Sequence, residues 1–142
     1  MSSRRQSRIV AMQMLYQIHI TAEPVQRVIL QFWQNREISI TIRPFTQQLV
    51  EGTTENLKTI DEKIQATSKN WKLHRMPIVD LSILRLATYE ILYMDEIDAP
   101  TSINEAVEIA KKYSTPNSPK FINGVLDGIR KNYKNPSETK SK

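Results

Sequence analysis

The chain has 142 residues, 39% of them hydrophobic and 25% charged, the proportions of one globular domain that buries roughly two thirds of its unfolded surface. That composition excludes a disordered or membrane-embedded chain, and the lack of cysteine excludes a disulfide scaffold and thiolate chemistry, in keeping with a reducing cytoplasm. The formal charge of +5 is unevenly placed: residues 1–22 carry Arg4, Arg5 and Arg8 with no acid, residues 114–142 net +4, and the segment between nets −2. Basic ends on a near-neutral body point to a polyanionic partner, nucleic acid before membrane, with solubilising ends as the alternative.

Helix-period patterns with short breaks cover most of the length, and strand signals are nearly absent, which predicts an all-α fold. A first helix runs from about Ser3 to Ile20 and is apolar around most of its circumference, as a central helix would be. It lacks the small-residue cleavage site of a signal peptide and is read as part of the fold. A second helix follows Glu23 and Pro24, with Val25, Val28, Ile29, Phe32 and Trp33 at helical spacing. The segment "EISITIRPF" alternates like a strand but has no strand to pair with, so it is expected to be a loop leading into a helix. From Pro44 a helical pattern continues to about Trp71, with a candidate break near Gly52. "MPIVDLSILRLATYEILYM" opens on proline and is apolar on nearly every face, the mark of another central helix. Ser102 and Glu105 in "SINE" have the spacing of a capping box and predict a helix start there. After "STPNSP" the last helix runs from Pro119 to about Tyr133 with Ser118 as N-cap. This gives a single domain over residues 1–135 and a frayed polar end over 136–142.

No enzyme chemistry is visible. His19 and His74 have no ligand spacing around them, and acidic runs such as Asp61-Glu62 or Asp95-Glu96 read as solvated helix ends. No glycine-rich phosphate loop, nucleophile elbow or H-E-x-x-H is present. No catalytic residue, metal or cofactor is therefore expected. Binding residues are easier to nominate. At 100° per residue Arg4, Arg5 and Arg8 share a sector of about 100° on the first turns of their helix, forming one patch. Cations at a helix N-terminus cost roughly 0.3 to 1 kcal/mol each, which an anionic ligand would offset. In "NSPKFINGVLDGIRK" the open backbone N–H groups of the first turn attract an anion, beside Lys120 and Phe121, a phosphate contact next to a ring that suits base stacking. Phe121 also lies at the edge of the apolar stripe, so burial is its alternative role. Two of the three glycines, Gly124 and Gly128, border that stripe. Close helix packing and approach of a ligand backbone both account for them.

Four motifs in order carry a resemblance that spans the chain. "RRQSRIVAMQMLYQ", "LHRMPIVDLSILRLATYEI", "SINEAVEIAKKYS" and "SPKFINGVLDGI" resemble the NusB family of bacterial transcription antitermination proteins. The resemblance implies about seven helices in two packed three-helix groups, no catalysis, and binding to single-stranded boxA RNA. It implies a heterodimer with the ribosomal protein NusE, assembly into an antitermination complex on RNA polymerase, and homodimers in some members. By position, Arg4, Arg5, Arg8, Asn117, Ser118, Lys120 and Phe121 match RNA-contacting residues, and Tyr16 and Asp80 match the NusE-facing surface. Pro119 departs from the polar residue common there, and the stretch from Thr21 to Arg43 matches loosely. The alternatives are a relative of the NusB-like RNA-binding domain of ribosomal RNA methyltransferases, disfavoured by the lack of a catalytic domain within these residues, and a helical scaffold that binds no RNA.

Overall fold

The computed structural model describes residues 3–134; the polar end at 136–142 lies outside them. Among the described residues there are seven α-helices and no strand: α1 (Ser3–Thr21), α2 (Val25–Asn35), α3 (Arg43–Glu55), α4 (Leu57–Thr67), α5 (Ile78–Tyr93), α6 (Ala99–Tyr113) and α7 (Ser118–Tyr133). Short 3₁₀ turns occupy Ile40–Ile42 and Leu73–Arg75. No helix among them is long and apolar enough to cross a membrane. The helix that is apolar on every face, α5, is the axis. Every residue from Asp80 to Ile91 is buried except Arg85, and α5 packs against α1, α3, α4, α6 and α7. The expected two groups are present: α1 packs with α2 and α3, while α5, α6 and α7 pack together with α4 against α5 and α7.

One local expectation holds and two are corrected by tertiary contacts. The strand-like segment is a loop and a 3₁₀ turn, in which the Ser39 hydroxyl accepts from the Thr41 N–H, before Pro44 enters the first turn of α3. The break in the long middle pattern falls at Asn56, whose side-chain amide donates to the Gly52 carbonyl at 2.8 Å and closes the helix. Gly52 stays helical, and a Cβ there would lie 2.1 Å from the Tyr89 ring, so its hydrogen lets α3 and α5 meet. The capping-box start is also wrong. α6 begins at Ala99, three residues earlier. The Ser102 hydroxyl donates instead to Glu90 at 2.8 Å, and Glu105 receives Arg5. A serine and a glutamate at capping spacing were thus recruited by other helices.

The two glycines of α7 differ in their surroundings. A Cβ on Gly128 would come within 2.7 Å of the Thr67 methyl of α4, whereas one on Gly124 would meet nothing within 4 Å. Gly128 serves packing, and Gly124 has no packing reason to be glycine.

The polar centre of the fold is the Arg8–Glu90 pair. The guanidinium Nε and Nη2 donate to the carboxylate at 2.7 and 2.9 Å, and the two side chains are 5% and 1% exposed. A pair this dry is held against desolvation only because both forks of the arginine are matched and Ser102 satisfies a further lone pair. Removing one member leaves the other charged and buried. Arg8→Ala should therefore lower stability by about 3 to 5 kcal/mol in urea unfolding, and Arg8→Met combined with Glu90→Leu should recover most of that loss. The glycines give a second test by thermal unfolding. Gly52→Ala should destabilise through its clash with Tyr89, while Gly124→Ala should stabilise by roughly 0.8 to 1 kcal/mol, the helix propensity difference.

Candidate nucleic-acid interface

The three N-terminal arginines do not form one patch. Arg4 is exposed, with its guanidinium 4.3 Å from the centroid of the Phe45 ring, a cation–π contact that holds the charge at the surface. Arg5 forms a fork with Glu105 at 2.8 and 2.9 Å and remains about a third exposed. Its hydrogen bonds hold the Glu105 carboxyl below the usual carboxylate range; burial opposes this, and the charges of Arg5 and Arg8 add to it. Arg8 is the correction: it lies in the interior on Glu90, not at a surface where RNA is reached. The helical wheel placed it with the others, but at this position α1 already faces α5 and α6, and the side chain is taken by Glu90.

At the other basic end, the N-cap position of α7 belongs to Asn117, whose side chain makes no capping bond. Ser118 is inside the first turn and buried, and its hydroxyl donates to Asp80 Oδ2 at 2.8 Å. The Ser114 hydroxyl donates to the other oxygen of Asp80. Asp80 is therefore a buried junction of α5, α6 and α7, not a residue of a partner-facing surface, and Ser118 is neither a cap nor an exposed contact. Asn117 and Lys120 are exposed. Phe121 is half-buried and meets Trp71 edge to face, with ring centroids 6.2 Å apart and planes at 70°. A groove of about 230 Å³ opens here; Trp71, Met76, Asn117, Ser118 and Phe121 are among its lining residues, with the buried Asp80 at its floor.

Residues that sequence reading missed connect the two ends. Lys111, Lys112 and Tyr113, in the last turn of α6, line a shallow cavity with Arg5, Ile9 and Glu108, and Lys111 donates to the Glu108 carboxylate at 3.0 Å. Their signal was the pair of lysines in "EIAKKYS", lost when charge was averaged over a middle segment that nets negative. Tyr16 lies elsewhere. It is 41% exposed and borders a larger groove of about 460 Å³ with Met12, Ile20, Arg36, Val79 and Tyr113. The surface thus offers cationic and aromatic side chains at the start of α1, the end of α6 and the entry of α7, and a separate groove at Tyr16 that meets them at Tyr113. No cluster of metal-ligating side chains occurs among the described residues.

Comparison with known proteins identifies the family. The model of the NusB family matches residues 5–131. The transcription antitermination protein NusB of Clostridium novyi is 40% identical over 131 residues, covering 91% of this chain and 98% of its own length. That of Trichlorobacter lovleyi is 44% identical over 129 residues, covering 91% of each. Among solved structures, T. maritima NusB superposes with a TM-score of 0.84 at 34% identity, covering 98% of this chain and 97% of that one. A complex of the antitermination factors NusB and NusE with double-stranded RNA shares the fold, with a TM-score of 0.80 at 24% identity over 92% of this chain and 98% of that one. With the family model across nearly the whole chain, and relatives this similar over most of their length, the protein belongs to the NusB family.

Proposed function

We propose that this chain is a transcription antitermination factor. It binds boxA-type single-stranded RNA together with the ribosomal protein NusE and helps assemble an antitermination complex on RNA polymerase, acting by binding rather than catalysis. The observation that carries this reading is the exposed Lys120 at the entry of α7 next to the half-buried Phe121, which lines a groove, in a chain whose relatives are named transcription antitermination proteins. A lysine and an aromatic ring one residue apart suit one nucleotide: the ammonium takes a phosphate and the ring takes an unstacked base. Arg4, Arg5, Lys111 and Lys112 supply further phosphate contacts at the start of α1 and the end of α6. Arg8 contributes by fixing α1, and Gly124, one turn below Lys120 and open on its outer side, leaves the strand room to approach. That the relatives are named transcription antitermination proteins favours this reading over the RNA-binding domain of a methyltransferase.

The Tyr16 groove suits the protein partner. Its lining from α1, α5 and α6 is largely apolar, with Arg36 at its border, as expected of a surface that buries a partner's side chains. Asp80 acts on it from behind. The bond from Ser114 to Asp80 joins the residues next to Tyr113 and Val79, both of which line the groove.

Two measurements check the reading. In fluorescence polarisation with a boxA oligonucleotide, affinity should fall with salt by a log–log slope of about −0.7 per phosphate contacted, and Lys120→Ala should reduce its magnitude by about 0.7. Phe121→Ala should weaken binding by about 1 to 3 kcal/mol at unchanged slope; a flat salt response for the unmodified chain overturns the assignment. In co-purification with NusE, Tyr16→Ala should lower recovery while leaving RNA binding intact, whereas Asp80→Ala should lower thermal stability as well.

A further inference from the structure

The loop between α4 and α5 presents an indole to solvent in a way that packing does not explain. Trp71 is 53% exposed, although its backbone is pinned on both sides. Its N–H donates to the Ser68 carbonyl at 2.9 Å, and its carbonyl accepts from the Gln65 side-chain amide at 2.7 Å. The same Gln65 accepts from the Leu73 N–H at 3.1 Å. One glutamine thus clamps the loop across Trp71. A large apolar side chain held rigidly at the surface is the kind of exposure that signals a ligand.

The exposed charge of the loop is one-signed, and the carboxylate that lines the same groove, Asp80, is buried and held by Ser114 and Ser118. From Lys63 to Val79 the chain carries no acidic residue, and Lys69, Lys72 and Arg75, on either side of Trp71, are all exposed. The averaged charge of the middle segment hides this run. The indole shares its groove with Phe121, Asn117 and Ser118, and its ring stands nearly perpendicular to that of Phe121. Two rings at this angle form a corner in which a flat ligand lies on one face and against the edge of the other.

We infer that the α4–α5 loop is a second RNA-binding element, in which Trp71 stacks on an unpaired base adjacent to the one at Phe121 while Lys69, Lys72 and Arg75 hold the phosphates that follow. The inference rests on the reading of the α7 entry as an RNA site and extends the strand past it. A single strand is favoured over a protein segment because exposed cations flank an exposed ring without an acid among them, the combination that tracks a phosphate backbone and its bases.

The test uses the intact chain carrying Trp33→Phe, so that Trp71 is the sole indole, and a boxA-type RNA oligonucleotide that extends several nucleotides beyond the core in either direction. Saturating RNA should quench the Trp71 emission. Trp71→Ala should weaken binding of the extended RNA by about 5- to 100-fold. Replacing Lys69, Lys72 and Arg75 together by serine, all at exposed positions, should make the salt slope shallower by about 2. Unchanged Trp71 emission and unchanged affinity in both variants, with Lys120→Ala still impaired, overturn the loop element and leave the α7 reading standing. Loss of NusE recovery without loss of RNA affinity in Trp71→Ala also overturns it, by giving the groove to the protein partner. No RNA binding by the unmodified chain overturns both.

Discussion

The buried ion pair between Arg8 and Glu90 sets the relation of three helices, and the surface follows from it. Glu90 lies near the end of α5 and takes Arg8 from α1 and Ser102 from α6. Arg8 also approaches Glu105 at 3.8 Å, the carboxylate that holds Arg5. One network therefore fixes the tip of α1, where Arg4 and Arg5 reach solvent, against α6, which carries Lys111 and Lys112. At the start of α5, ten residues and about 15 Å away along the axis, Asp80 repeats the device with Ser114 and Ser118. Two buried carboxylates, one near each end of the central helix, thereby position the cationic and aromatic side chains at the start of α1, the end of α6 and the entry of α7. Breaking such a pair is costly because the partner charge is stranded in a dry interior, which gives those side chains a fixed geometry without any of them being buried for it.

The division of labour between surface and interior is then physical. Arg4, Lys120 and the lysines of α6 stay exposed, where a phosphate displaces water and counterions at little cost. Phe121 and Trp71 add flat apolar area with few rotamers to lose on binding. The groove at Tyr16 meets these side chains at Tyr113. On the proposed assignment of the two surfaces, RNA and protein partner would meet at this one residue at the end of α6.

How much of this was legible in the sequence depends on whether a residue's role was local. The all-α class, the central character of α5 and the order of the elements followed from periodicity, since the core selects it directly, whereas α1, expected to be central as well, keeps an exposed face at Gln6, Tyr16, His19 and Ile20. The exposure of Lys120 and the half-burial of Phe121 at the edge of the apolar stripe were legible from the helical wheel. Arg8 and Ser118 were misplaced because helical geometry assigns a direction on the helix and says nothing of what lies in that direction. The Ser102–Glu105 spacing was misread for the same reason: its partners, Glu90 and Arg5, are 12 and 100 residues away. Gly52 passed as a break until Tyr89, thirty-seven positions on, supplied the reason for its missing side chain. Trp71 and its flanking cations were overlooked because the charge of a short loop vanishes in a long average.

The central claim is that one set of cationic and aromatic side chains, positioned by the two buried carboxylates, binds RNA while the Tyr16 groove binds protein. Backbone amide NMR with stepwise addition of a boxA oligonucleotide tests it most directly. The account predicts shifts that grow together at Arg4, Arg5, Lys111 to Tyr113, Asn117 to Phe121 and Trp71, with Met12, Tyr16 and Ile20 unmoved until NusE is added. Shifts confined to the Tyr16 groove on RNA addition, or absent from the entry of α7, would contradict it.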